Sequence, residues 1–171
     1  MFSAGSPDGR ATDIKSLGDL IATIPQVGRV EWLGVRPERR TDMRVVDSVD
    51  AEPVNGLLGD RYRGRSGARH ATLIQAEHLP AIASCVGIAE LTPERLRRNI
   101  VVSGINLLAL KDKIICVASV EMEVTGLCHP CSRMEELLGP GGYNAVRGHG
   151  GITARVLTPG RITLGDPVRV S

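Results

Sequence analysis

The densest group of reactive side chains lies in Thr125-Gly126-Leu127-Cys128-His129-Pro130-Cys131-Ser132-Arg133, where two thiols stand three positions apart with an imidazole between them. Thiols at that spacing can share one site, and three chemistries use them. A zinc half-site needs two further ligands, but Cys85 and Cys116 stand alone in apolar stretches, form no second pair and read as core residues. A dithiol redox pair draws on the thiolate-favouring field of a helix N-terminus, although such pairs ordinarily accompany a βαβ pattern. The third chemistry is a single thiolate bound to a softer metal. His129 is placed to tune Cys131 by charge or hydrogen bonding.

Two other segments have the residue types of a binding site. Gly59-Asp60-Arg61-Tyr62-Arg63-Gly64-Arg65-Ser66-Gly67-Ala68-Arg69-His70 is a glycine-rich loop with four arginines, which reads as an anion-recruiting lid or as a solvated loop. Arg147-Gly148-His149-Gly150-Gly151 is a turn whose glycines permit positive φ or close approach of a ligand. Arginine accounts for 18 of the 21 basic residues, the lysines being Lys15, Lys111 and Lys113. That bias suits bidentate binding of phosphate and carboxylate, and codon usage accounts for it equally.

The elements around these segments are mostly strands. Runs of strand length are predicted at 28–35, 44–49, 71–74, 99–102, 113–117, 120–124, 152–157, 161–164 and 168–170. Helices are predicted at 75–86, at 92–98 with Thr92 as cap before Pro93, and at 132–138. So many strands with so few crossovers predict a mainly β, antiparallel barrel with a few peripheral α-helices. Residues 1–26 differ in texture and read as an extension, a short helix or a flexible segment; Thr12 is the candidate cap, with Ile14, Leu17, Leu20 and Ile21 as one apolar face. The barrel domain is expected over 27–171.

Composition narrows the function classes. At 171 residues, 42% hydrophobic and 23% charged, the chain is one globular domain. A net charge of +2 spread along the sequence is not the basic stripe of a duplex binder, and four aromatic residues give little material for stacking bases. Nucleic acid is therefore not an expected partner. No run approaches a membrane span and the opening residues have no apolar signal core, so a cytoplasmic protein without membrane contact is expected.

Four marks occur in order: Asn55-Gly56-Leu57-Leu58-Gly59-Asp60-Arg61, then Arg97-Arg98-Asn99-Ile100-Val101-Val102-Ser103-Gly104-Ile105, then Pro130-Cys131, then Gly150 to Leu157 with Gly165-Asp166-Pro167-Val168. With these the chain resembles the MOSC domain, named after the C-terminal domain of molybdenum cofactor sulfurase, over roughly residues 27–171. The resemblance implies a β-barrel and a link to the molybdenum cofactor, a phosphate-bearing pterin, with Cys131 as protein ligand to molybdenum or as a persulfide carrier. It also implies that Arg97 and Asn99 grip the pterin and its phosphate, with Arg69 and Arg133 as further cofactor-binding candidates. Where many relatives have His after Gly-Asp-x, this chain has Tyr62. The implied activity is reduction of N-hydroxylated compounds to the amine and water, with Cys131 and His129 as catalytic residues; a non-catalytic carrier of cofactor or sulfur is the alternative. No flavin, nicotinamide or four-cysteine iron–sulfur signature is present. Nor is there room for a pyridoxal-phosphate desulfurase domain, so an electron-donor protein or a sulfur-donor desulfurase is the expected partner.

Overall fold

The computed structural model describes residues 15–62 and 64–171. Its strands are β1 (Gly28–Val35), β2 (Arg44–Val45), β3 (Ser48–Glu52), β4 (Gly56–Leu57), β5 (Ala71–Gln75), β6 (Ile100–Ser103), β7 (Ile114–Val117), β8 (Val120–Leu127), β9 (Ile152–Val156), β10 (Gly160–Thr163) and β11 (Pro167–Val170). Seven of them close a barrel in the order β1-β6-β5-β9-β8-β7-β11, and β11 returns to β1. Strand β2 extends from β1, while β10, β3 and β4 form a small second sheet. The pairings are antiparallel except β5 with β6, which run parallel because a helical crossover joins them.

That crossover explains why β5 and β6 are apolar without alternation. Leu73, Ile100 and Val102 face the barrel interior with Leu33, Ile115, Met122 and Ile152. Their neighbours Ile74 and Val101 face outward into a second core. Helices α2 (His78–Val86), α3 (Pro93–Leu96), α4 (Ser132–Leu138) and α5 (Gly142–Val146) fill that core with Ile82, Leu96, Met134 and Val146. Strands buried on both faces read as continuous hydrophobic runs. The second core holds α4, and therefore Cys131 at its N-cap, against the barrel wall.

Several expectations shift. The predicted strand at 44–49 is two strands, and β4, α5 and a 3₁₀ turn at Leu107–Leu110 are additional. Thr92 stands at the N-cap of α3, yet its hydroxyl makes no capping bond. Cys85 and Cys116 are not core residues. Cys85 is exposed on α2, whose buried residues are Ile82 and Ala83, and Cys116 is the outward residue between the buried Ile115 and Val117 of β7. Helix α1 (Leu17–Ala22) is capped by Ser16, whose Oγ accepts from the Asp19 amide while Asp19 Oδ2 accepts from the Ser16 amide. Its Leu17, Leu20 and Ile21 are exposed; Thr12 and Ile14 lie outside the described residues.

Candidate functional site

Four stretches converge around the cysteine pair: the exit of β1 at Arg36, the entry to β6 at Arg97–Asn99, the exit of β8 at Cys128–Cys131, and the Arg147–Gly151 turn before β9. A register shift between Val124 and Gly126 frees Thr125 from the β8–β9 ladder. Its hydroxyl donates to the Ala68 carbonyl and lies 2.9 Å from Thr153 Oγ1, tying the glycine-rich loop to the barrel. The next residue of that loop, Arg69, thereby reaches the cysteine segment, and its Nη2 lies 3.5 Å from Cys128 Sγ. Cys128 is only 2% exposed, whereas Cys131 is open to solvent. Among the described residues no cluster of three or more His, Cys, Asp or Glu side chains forms around a metal position, so the zinc reading gains no ligands.

Beneath the cysteine segment sits Arg98, 6% exposed. Its Nε donates to the Gly150 carbonyl at 2.8 Å, Nη1 to Leu96 O at 2.8 Å and Nη2 to Cys128 O at 3.5 Å. Burial pushes this guanidinium below its ordinary value; the nearby thiol of Cys128 acts in the opposite direction and Arg69 reinforces the burial effect. A guanidinium stays charged in proteins, so Arg98 is a buried cation held by carbonyls, with no carboxylate bonded to it among the described residues. Its neighbour Arg97 takes a left-handed φ of 56°, uncommon for a residue with a side chain, and this turn sends the two consecutive arginines apart. Arg97 Nη1 donates to Thr41 O at 2.7 Å on the outer surface.

Arg36 is held differently. Its amide and Nε donate to Asp60 Oδ1 at 2.7 and 2.9 Å, and Nη2 donates to Oδ2 at 2.7 Å. Asn99, fully buried, completes the knot. Its Nδ2 donates to Gly34 O and Asp60 Oδ1, and its Oδ1 accepts from the Thr72 amide, the Thr72 hydroxyl and Arg36 Nη2. Both amide protons and the oxygen of Asn99 are thus engaged inside the protein, where the side chain ties Arg36 to Asp60.

On the outer side of the cysteine segment, Arg36, Arg39, Arg40, Arg61, Arg97 and Arg133 line one cavity of about 250 Å³. The acidic groups there are committed: Glu136 bonds Arg133 at 2.7 Å, and Asp60 bonds Arg36. Arg97 is pushed below its ordinary value by burial first, then by Arg36, Arg133 and Arg61, with Asp42 opposing. So many cations in one cavity repel one another unless an anion enters.

On the other side lies a cleft of about 260 Å³ whose walls include Leu108, Leu127, Cys128 and Pro130, with His129 and Arg147 among the residues that line it. Of the residues singled out from the sequence, Arg97 and Arg133 share the arginine cavity, while His129 and Arg69 adjoin Cys128. Cys131 stands in the segment between the two. Arg36, Arg39, Arg40 and Arg98 escaped the sequence reading as site residues, whereas Arg61 was read only as one of four arginines in the glycine-rich loop. The basic run Arg36-Pro37-Glu38-Arg39-Arg40 just after β1 was the available signal.

The model of the MOSC domain matches residues 58–169, about two thirds of the chain. The chain belongs to the MOSC domain family. No curated protein matches it in sequence. Among solved structures, YuaD from Bacillus subtilis is similar with a TM-score of 0.74 at 20% identity, over 86% of this chain and 98% of that one. YiiM from Geobacillus stearothermophilus gives 0.67 at 18%, over 84% and 75%. YiiM from Escherichia coli gives 0.63 at 15%, over 84% and 69%. At these identities the likeness concerns the fold. The MOSC match takes in Asp60, Arg97–Asn99 and both cysteines, and leaves Arg36, Arg39 and Arg40 outside it.

Proposed function

We propose that this MOSC protein binds the molybdenum cofactor and reduces N-hydroxylated compounds with electrons from a partner protein. The observation that carries the reading is an exposed thiol, Cys131, followed directly by two residues, Ser132 and Arg133, that line a cavity of six arginines. A molybdenum bound by a phosphate-bearing dithiolene pterin asks for a soft donor and an anion cradle, and this donor set fits both. Cys131 would hold the metal. Arg97 and Arg133, joined by Arg61, would hold the phosphate, with Arg36 fixed by Asp60 beside them, and Arg69 would steady the segment through Cys128.

When bound, the cofactor supplies two-electron cleavage of an N–O bond. The protein's own contribution is to fix the ligand thiol at the N-cap of α4, to neutralise the phosphate, and to offer the exposed His129 imidazole as proton donor to the departing oxygen. The chain's four cysteines leave no iron–sulfur set, so an electron-donor protein is required.

The test is molybdenum and pterin content of protein from a cofactor-producing host beside Cys131→Ala. Both present in the wild type and lost in the variant support the reading; both absent from each, under conditions that load another MOSC protein, overturn it. A second reading is a sulfur carrier, with a persulfide on Cys131 delivered by a desulfurase; the reactive position of Cys131 beside a sheltered Cys128 favours it over a symmetric dithiol. If Cys128→Ser keeps function and Cys131→Ser loses it, the dithiol is excluded.

A further inference from the structure

The cleft on the Cys128 side differs in chemistry from the arginine cavity. Its walls are the side chains of Leu108, Leu127 and Pro130 and the side-chain-free backbone at Gly148. Leu127, the last residue of β8, is 39% exposed there, an apolar surface left open beside a thiol. At about 260 Å³ the cleft lies just below the range for drug-sized ligands, so its occupant is small.

Its charge is one-sided. Arg147 is the only Asp, Glu, Lys or Arg among the lining residues, and its one side-chain contact among the described residues is a long 3.5 Å approach to Asn144 Oδ1, which leaves most of its fork of donors available. Arg69 stands at Cys128 Sγ, and Arg98 lies beneath the Cys128 and Gly150 carbonyls. Among the described residues no acid lines the cleft to offset them. An organic cation is repelled here. A multiply charged phosphate finds six guanidiniums in the other cavity and one rim arginine in this one.

We propose that the cleft binds a small organic monoanion, an apolar body bearing one carboxylate-like group that pairs with Arg147. Resting on the reductase reading, this makes the substrate class N-hydroxylated compounds that carry a carboxylate or similar anion. The cysteine segment then separates two subsites: cofactor phosphate on the arginine side, substrate body on the leucine side.

The test uses the protein without added cofactor and a matched pair of probes, benzoate and benzamide, followed by amide chemical shifts. Benzoate is expected to give saturable shifts at residues 127–129 and 147–151, with benzamide about tenfold weaker, the loss of one charged contact. The exposed Arg147→Ala should bring the two probes to equal affinity, and Leu108→Trp should abolish both by filling the cleft. Inorganic phosphate should shift the arginine cavity and leave benzoate at the cleft. Equal affinities in the wild type, benzoate shifts confined to the arginine cavity, or no saturable shift overturn the proposal. Cleft binding in a protein that never takes up molybdenum would leave the site standing and sink the reductase reading alone.

Discussion

Arg36 and Arg98 flank the same cysteine segment, and they are held in opposite ways. Arg36 is locked to a carboxylate whose side chain is wholly buried, through bonds that also engage Asn99. Arg98 is buried more deeply but bonds only carbonyls, two of them on the segments that form the cleft. A cation paired with its own carboxylate fixes geometry and projects little field. A cation solvated by carbonyls fixes the backbone and keeps its positive charge for whatever stands above it, here the Cys128 segment and the cleft. The first arrangement serves the fold, and the second serves a thiol or an anion.

The largest effect should come from breaking the paired side. Asp60→Ala leaves the Arg36 guanidinium and the Asn99 amide without their buried acceptor, and truncating one partner of such a pair costs about 3–5 kcal/mol. Urea denaturation should show that loss. A change under about 1 kcal/mol would mean that water replaces the carboxylate and that the knot is not structural.

Next in size is Gly151→Ala, which tests the frame on the carbonyl side. Gly151 has φ of 84°, and a Cβ there would overlap the Leu73 carbonyl of the neighbouring strand. Left-handed strain and overpacking together should cost about 3 kcal/mol. Because the turn also presents Gly150 to Arg98, the native-state alkylation of Cys128 should rise with the loss.

Arg98→Met should cost less than Asp60→Ala, about 1–3 kcal/mol, because it removes a buried charge and leaves carbonyls rather than an unpaired ion. Its signature is kinetic. In the wild type, iodoacetamide should label the exposed Cys85 and Cys131 while Cys128 stays protected. In the variant, with the ties to Cys128 O and Gly150 O gone, Cys128 should label at a rate approaching that of Cys131. Continued protection of Cys128 would show that Arg98 does not hold the segment.

The same contrast explains what the sequence made legible. Strand runs such as Gly28–Val35 and Ile152–Val156 carry hydrophobic patterns that depend on near neighbours, so the barrel could be read from them. The cysteine pair is local too. The arginine cavity is not: Arg36, Arg61, Arg97 and Arg133 come from four separate segments, and only closure of β1 on β6 with α4 packed beside them makes one surface. The motif around Asn99 is local, whereas the groups its amide bonds, on Gly34, Asp60 and Thr72, lie at least 27 residues away. Cys85 and Cys116 sat in apolar stretches, but which face of α2 or β7 is covered is a tertiary fact.

The smallest predicted effect is a pH dependence set by two buried histidines, one of them on the carbonyl side. His78 at the start of α2 meets His149 of the Gly148–Gly151 turn edge to face at 4.9 Å, and each has a buried Nδ1 with no partner among the described residues. Burial lowers His78 below its ordinary value of 6.5 and the charge of the facing His149 lowers it further, while a hydrogen bond with the His149 backbone and then the charge of Glu77 oppose. His70, packed against Tyr62, is lowered in the same way by burial and then by Arg155. A base whose value is lower folded than unfolded takes up protons first in the unfolded chain, so stability is full above 6.5 and falls as pH drops from there toward the folded values. Carboxylates titrate lower and add their own losses only in more acid solution. Urea midpoints at about pH 7.5 and about pH 5.5 should therefore differ, with the acid midpoint lower. His78→Gln should shrink that difference while leaving the Arg36 knot untouched, so the pH slope of Asp60→Ala should match the wild type. An equal slope in His78→Gln would place the titration elsewhere and separate the histidine pair from the cleft it backs.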